Sequence, residues 1–443
     1  MKLTVYPSGK GDCLLLESGG KRILIDGGVG ESFREEVLPD LAKSAEKPLD
    51  CVYLSHIDDD HIGGLLTLVD AIYAWRVFDF RSKKDKKAPK PKMPRPPEVL
   101  KVWHNSFSDQ LKDNAGPVAA ALAETATILS GLDGGDEIAE KVRTYHADLA
   151  ESTKQSLQLR YRVGAGQLGI SVNPEYKGKL MYVRKGGGKL KVGDASMVVI
   201  GPFEDDLVKL REDWITWLRE KKDVVNSVRT RAKADSGGLT ASAGDFLRPL
   251  EEQAQELAEK ITIPALSDEE LKKMGKRSRV TPPNLASLMF FVNEGKTTLL
   301  LTGDGHAREV LKGLEGAKKL KPNGGLHVNV LKVQHHGAEY NMTPEFAQRI
   351  TADHYIFCGN GFQTNPELSV MKTLARSRFG DPEERSANPQ TNRRFTFWFN
   401  STPQSAQFAA HMTQVKKLAG TLAAASEGQL TCKFFDRKFE VPL

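Results

Sequence analysis

At 443 residues, with 40% hydrophobic and 27% charged residues, the chain can form a large core or two to three ordinary domains, and its composition is that of a globular protein rather than a fibrous or disordered one. Lys plus Arg total 63 against 57 Asp plus Glu, a formal charge of +6 that says little about partners until its distribution is followed. No segment approaches the roughly 20 apolar residues needed to span a bilayer, and MKLTVYPSGKGDCLLLESGG lacks a signal-like apolar run, so a cytoplasmic protein with no membrane span is expected.

Three β signals open the chain, MKLTVYP, CLLLES and RILIDGG, separated by SGKGD and GG turns. A helical segment follows over about 31–44, and PLDCVYLS then reads as a fully apolar strand. Residues 81–95, RSKKDKKAPKPKMPR, hold eight basic residues, one acidic residue and three prolines, and are expected as an extended, mobile loop. Helical character is expected over 116–160, β structure returns at LGISVNP, KLMYVRK and SMVVIGP, and a second helical insert begins at DDLVKLREDW. A further basic run, KKMGKRSR, occupies 272–279. The strands SLMFFVNEG and KTTLLLTGDG, a helix over about 307–319, the strand HVNVLKVQ and an HHG turn come next. ADHYIFCGN, a helix at PELSVMKTLARSR, and the β segments RFTFWFN and LTCKFF complete the chain. The arrangement suggests a coarse duplication: β meander, apolar strand, ligand-rich turn, twice over. Cys13, Cys51, Cys358 and Cys432 are scattered without CxxC spacing, which points to reduced thiols rather than a disulfide scaffold or zinc knuckle.

The turn after the apolar strand reads LSHIDDDHIGGL, with two histidines and three aspartates within six positions. Three crowded carboxylates are unfavourable unless a cation or solvent compensates them. Alternation in an extended loop directs His56, Asp58 and Asp60 to one side and Asp59 away, with His61 pairing with Asp60. Two ions, one on His56 and Asp58 and one on Asp60 and His61, would offset the repulsion. Gly63 and Gly64 are expected to let the backbone pass close to what the loop holds. In the second half, Asp304 of LLLTGD and the paired His335 and His336 sit at expected strand ends. Asp304 is read as a metal ligand, though a bare Asp there might cap a helix beginning near His306. His104 is ambiguous between pocket lining and packing beside Trp103; His146, His306, His327, His354 and His411 read as surface or packing residues.

SHIDDDHIGG resembles the HxHxDH signature of the metallo-β-lactamase fold hydrolases, and its HxDxDH form followed by IGG is similar to the hydrolase domain of the bacterial competence DNA-uptake channel. GDCLLL also matches. The resemblance implies a supporting role for Asp26 in ILIDGG and a metal-bridging role for Asp304, and places His335 and His336 at the family's HHG turn. The implied fold is α/β, a metallo-β-lactamase-like αββα sandwich of two β-sheets flanked by helices, with helical insertions. Residues 1–375 would form that hydrolase domain, with insertions at about 81–160 and 205–279, and residues 376–443 a β-containing extension packed on it. Asn284 and Asn365 stand where relatives often carry His.

The expected metal ligands are therefore His56, Asp58, Asp60, His61, Asp304 and His336, holding one or two divalent ions: Mn²⁺ or Zn²⁺, with Mg²⁺ as a further option. Asp58 in place of His shifts preference away from zinc. Asp60 and His335 are the expected catalytic residues, His335 as the proton donor to the leaving oxygen in metal-assisted hydrolysis. The basic loops favour nucleic acid, DNA above all, as substrate of a nuclease or phosphodiesterase. A lactonase, a cyclic-nucleotide phosphodiesterase, or a binding protein weakened in catalysis are the alternatives. Loop 81–95 is also an expected contact for a protein partner or protease, and a gate for the site. Oligomeric state is not encoded in any motif.

Overall fold

Alternating and fully apolar runs build two sheets, seen in a computed structural model that describes residues 1–105, 154–184, 188–208, 212, 274–277, 280 and 282–443. The opening meander forms β1 (Lys2–Val5), β2 (Leu14–Ser18) and β3 (Lys21–Ile25), antiparallel, with Leu3 opposite Leu16 and Leu14 opposite Ile25. The apolar strand is β4 (Cys51–Tyr53), which joins β3 in parallel, followed by β5 (Lys101–Trp103) and β6 (Ser171–Val172). The second sheet begins with an antiparallel half: β7 (Lys189–Val192), β8 (Ala195–Gly201), β9 (Met289–Glu294) and β10 (Thr297–Leu301). It continues in parallel through β11 (Leu326–Lys332), β12 (Ile350–Phe357), β13 (Phe395–Phe399) and β14 (Leu430–Phe434). Each sheet is thus part antiparallel meander and part parallel crossover, as the coarse duplication suggested.

The inner faces of the sheets pack on one another, Leu3, Leu16 and Ile25 from the first joining Phe290, Leu301 and Val330 of the second in one apolar cluster. Outside the first sheet lies helix Asp59–Ser82, whose buried Ile62, Leu65, Leu68, Val69 and Ile72 recur at three and four spacing. Outside the second lie helices Ala307–Gly316, Leu368–Phe379 and Ala409–Ala425. The layers run helix, sheet, sheet, helix, the expected αββα sandwich. No helix among the described residues is long and apolar enough to cross a membrane. All four cysteines are free.

Several expectations change. Residues 179–184 of KLMYVRK are irregular rather than a strand, because Met181 is held by the Asn105 side chain and the pairing edge falls to KLKV instead. The segment 376–443 completes both sheets: β13 and β14 extend the second, and β15 (Phe439–Val441) pairs antiparallel with β1 of the first. Residues 106–153 and 213–273, which hold most of the expected helical insertions and His146, lie outside the described residues; among the rest, 154–163 is helical.

Loop 81–95, expected to be extended and mobile, is folded back on its own helix. Trp75 Nε1 donates to Met93 O at 3.0 Å, Arg95 pairs with Asp79 at 2.6 Å, and the Arg95 guanidinium stacks 4.2 Å from the Trp75 ring centroid.

Candidate metal centre

The HxDxDH turn divides between two kinds of backbone. His56 to Asp58 continue β4 in extended form, Asp58 having φ −64° and ψ 146°, whereas the helix starts at Asp59, so Asp60 and His61 are first-turn helical residues rather than loop residues. Acidic groups in a first turn also meet the positive end of the helix dipole. Asp59 turns outward as expected: its Oδ1 accepts from Gln155 Nε2 at 2.7 Å and its Oδ2 lies 3.6 Å from Lys10 Nζ.

Gly63 and Gly64 do not make room for a ligand. A Cβ on Gly64 would stand 2.1 Å from Gly27 O, so these glycines let the helix lie against the turn that carries Asp26. Gly11 has the same task from the other side, where a Cβ would fall 1.6 Å from Asp60 O.

Asp304 is the centre of the arrangement, 1% exposed. Its Oδ1 lies 3.4 Å from His61 Nε2, and its Oδ2 lies 3.4 Å from His336 Nε2, 3.5 Å from His335 Nε2 and 3.7 Å from His56 Nε2. Asp58 Oδ2 is 3.4 Å from His56 Nε2, and Asp60 Oδ2 is 3.1 Å from His336 Nε2 and 4.0 Å from His61 Nε2. The structure thus gathers all the residues expected as ligands. Asp304 does not cap the next helix; His306 stands at that position, with Nδ1 3.1 Å from both Arg308 N and Glu309 Oε2 and Nε2 2.9 Å from Gly275 O. The inner atoms His56 Nε2, His61 Nε2, His336 Nε2 and Asp304 Oδ1 are buried without a hydrogen-bond partner among the described residues. Imidazole nitrogens and carboxylate oxygens left facing one another at 3 to 4 Å form a donor set that suits divalent cations.

A second ring of groups orients these donors. Asp26 accepts from Ser55 N at 2.7 Å and Ser55 Oγ at 2.8 Å, and its Oδ2 meets His61 Nδ1 at 3.0 Å. Asp12 stands on the corresponding side of His336, with Oδ1 3.1 Å from Nδ1. Each carboxylate stands on the Nδ1 side and leaves Nε2 for the centre, the usual carboxylate–histidine arrangement behind a metal. Asp12, His61, Asp304 and His336 have ligand atoms within 4.8 Å of one another. Asp60, on the Nε2 side, is nonetheless the better ligand than Asp12, whose carboxylate is engaged by Lys332. Lys332, 2% exposed, also donates to Gly303 O at 3.0 Å.

Neither Asp12 nor Lys332 was singled out from sequence, although a lysine inside the apolar run VNVLKV is a signal, because such a lysine is buried only when paired.

Charge coupling follows from these distances. Burial alone would raise Asp304 and Asp60, but the imidazoles outweigh it and hold both carboxyls well below the usual range. Burial would likewise depress His61 and His336, but Asp304 with Asp26, Asp60 or Asp12 raises both well above the ordinary value.

His335 differs. Burial lowers its pKa, and Asp304 only partly offsets this. Asn341 Nδ2 donates to Asp304 O at 2.7 Å, which turns Asn341 Oδ1 toward His335 Nδ1 at 2.9 Å. An acceptor there requires the proton on Nδ1, so Nε2 of the neutral ring carries a lone pair aimed at Asp304. The expected role of His335 as proton donor to a leaving oxygen does not fit this tautomer. Asn284 lies beside it, Nδ2 being 3.4 Å from His335 Nδ1.

His104 is 3% exposed, and burial, reinforced by Arg160 and His56, pushes its pKa down to about 3. It is a neutral ring behind His56. His327 and His354 are held by Asp353 and Trp398, and His411 by Pro366 O.

The first basic loop does not line the centre. Loop 81–95 follows the C-terminus of a helix whose N-terminus carries Asp60, and the chain then enters β5 from the end opposite His56, with Leu49 bridged to Val99. Its expected role as a gate fails on this separation. In the second run, Arg277 is spent on Glu309 at 2.6 Å and Asp206 at 2.9 Å.

Residues 7–139 match the model of the metallo-beta-lactamase superfamily. A search of curated proteins finds no match. Among solved structures the chain is similar to the metallo-beta-lactamase fold protein YhfI from Bacillus subtilis, at 11% identity and TM-score 0.33 with 100% of each chain covered. It is also similar to Zn(2+)-bound PqqB from Methylobacterium extorquens, at 10% identity and TM-score 0.31, again covering 100% of each chain. The short form of human tRNase Z is 15% identical over 25% of this chain and 48% of its own, with TM-score 0.15.

Proposed function

We propose that the chain is a metal-dependent hydrolase of phosphodiester bonds, a nuclease acting on DNA. The observation that carries this reading is the convergence on Asp304 of four imidazoles from two sheets, with Asp58 and Asp60 beside them.

His56, Asp58 and His335 would hold one divalent ion, and Asp60, His61 and His336 another, with Asp304 shared. In this assignment His335 is a ligand, filling the place where relatives use a His and this chain has Asn284. When bound, such ions lower the pKa of a water and offset the charge that develops on a reacting phosphate. Asp58 in place of His gives the first set a second carboxylate, which favours Mn²⁺ or Mg²⁺ over Zn²⁺.

The chain's own residues do the rest. Asp26 accepts from Nδ1 of His61, and Asp12 Oδ1 stands 3.1 Å from Nδ1 of His336, so both rings present Nε2 inward. Side chains of Asp60, His335 and Asp58 are 18%, 23% and 29% exposed, against 0–3% for His56, His61, His336 and Asp304, so the substrate is received on that rim. The resemblance of HxDxDHIGG to the competence-channel hydrolase supports DNA as the substrate.

A panel of Mn²⁺, Mg²⁺ and Zn²⁺ against supercoiled, linear and single-stranded DNA, RNA and small esters tests the proposal. Mn²⁺-dependent plasmid cleavage, lost in Asp60→Asn, is expected. Turnover of a lactone or thioester with no cleavage of any nucleic acid rejects it in favour of a small-molecule hydrolase.

A further inference from the structure

The Lys-rich loop after helix Asp59–Ser82 is the largest charged feature that the metal centre leaves unused. Lys83, Lys84, Lys86, Lys87, Lys90 and Lys92 are exposed, and none forms an ion pair with a described residue, whereas Arg95 pairs with Asp79. The loop is nevertheless fixed in place. Trp75 Nε1 donates to Met93 O at 3.0 Å, and Lys90 Nζ lies 5.4 Å from the Trp75 ring centroid. The prolines lay this segment along the helix, where Trp75, Phe78, Lys90, Lys92, Met93 and Arg95 line a groove of about 740 Å³. Beside it Phe80 is 64% exposed, with Lys84 Nζ 5.2 Å from its ring centroid.

Six like charges held together against the single carboxylate of Asp85 repel one another, and a polyanion that replaces their counterions relieves this. Lysine is a compact point charge without the planar fork that selects carboxylates, and Lys alternating with Pro carries no directional donors for reading bases or a peptide. Those features fit a regular row of phosphates contacted without regard to sequence. From Asp60 to Ser82 the helix rises about 33 Å at 1.5 Å per residue, while the segment folded back onto Trp75 lies about 23 Å from Asp60 along it. The surface therefore begins within one turn of B-form duplex, about 34–36 Å, of the centre.

We propose that loop 81–95 is a docking surface for the phosphate backbone of nucleic acid, gripping duplex DNA within about one helical turn of the bond presented to the metal centre. Its affinity for nucleic acid stands by itself; its spacing from the cut rests on the nuclease reading.

Binding of the full chain to labelled duplexes of about 10 and about 30 base pairs, followed by anisotropy in EDTA over a salt series, tests this without cleavage. For K83Q/K84Q/K86Q/K87Q the longer duplex is expected to bind at least about 10-fold more weakly, with the slope of log K on log salt reduced by about 3 to 4, near 0.9 per lost phosphate contact. K90Q/K92Q is expected to show the same change at about half the size. An unchanged affinity and slope in both variants overturns the docking surface. So does poly-glutamate binding as tightly as DNA of equal charge, which points to an acidic protein instead. Loss of binding in the variants, with no nucleic acid hydrolysed by the wild type in Mn²⁺, keeps the docking surface and removes the nuclease reading. Unaltered binding with active plasmid cleavage does the reverse.

Discussion

Lys332 Nζ stands 3.5 Å from Asp304 Oδ1, a buried ammonium beside the carboxylate on which the whole cluster converges. Asp12 holds it from the other side. Removing one member of a buried charge pair leaves the other uncompensated, which costs about 3–5 kcal/mol. Lys332→Met is therefore expected to lower the urea midpoint of the chelated protein by a corresponding amount, and D12N/K332M to recover part of the loss. Additive losses, with the double variant costing as much as D12N and K332M together, would show that the two residues do not act as a pair.

Asp26 touches no inward-facing atom, yet it sets the direction of His61. Asp26→Asn is expected to weaken metal binding by about 10–100-fold, the usual effect of removing a carboxylate behind a histidine ligand. Competition with a chromophoric chelator measures this directly. An unaltered affinity would mean that Ser55 alone holds the ring.

Metal uptake is expected to release protons. His61 and His336 are raised well above 6.5 without an ion, so both are charged at neutral pH and must become neutral to bind one. On the order of two protons per filled centre should appear in calorimetry when buffers of different ionisation enthalpy are compared, and affinity should fall as pH falls.

The same shifts set the stability of the chelated protein. The raised imidazoles contribute stability that is complete below their ordinary 6.5 and lost as pH rises through their folded-state values. Depressed Asp60 and Asp304 contribute stability that is complete above 3.8 and lost as pH falls through theirs. These four groups together place the maximum between about pH 4 and 6.5, and denaturant midpoints across pH 3 to 9 test its position.

Gly64→Ala should act as a packing lesion at the centre's edge. Its Cβ would meet Gly27 O at 2.1 Å, and rigid backbone on both sides cannot yield cheaply. A loss of about 1–3 kcal/mol or more is expected, together with weaker metal binding as Asp60 and His61 move with the helix. A variant that melts like the wild type would show that the turn can give way.

Much of this centre was legible because its chemistry is local. HxDxDH, TGD and HHG each follow an apolar strand, and strand ends are where loops of such a sheet gather. What sequence hid was long-range or conformational. Nothing near Asp12 announces that it faces His336, 324 positions away, and the tautomer of His335 depends on Asn341, which is itself turned by a main-chain carbonyl of Asp304. The direction of the lysine loop was misread for a related reason. A helix beginning at Asp59 carries whatever follows it to the other end of the sheet, and its 24-residue length depends on packing.

The donors are drawn from both halves of the sandwich: His56, Asp58, Asp60 and His61 follow β4, while Asp304, His335 and His336 follow β10 and β11. Ions seated among them would rivet two layers otherwise joined at that rim by side-chain packing and a few contacts such as Leu288 N to Ser55 O at 2.8 Å. Chelation should then loosen the sandwich as a hinge opens, from this rim first, and speed amide exchange at the ends of β4 and β10 before the far edges of either sheet feel it.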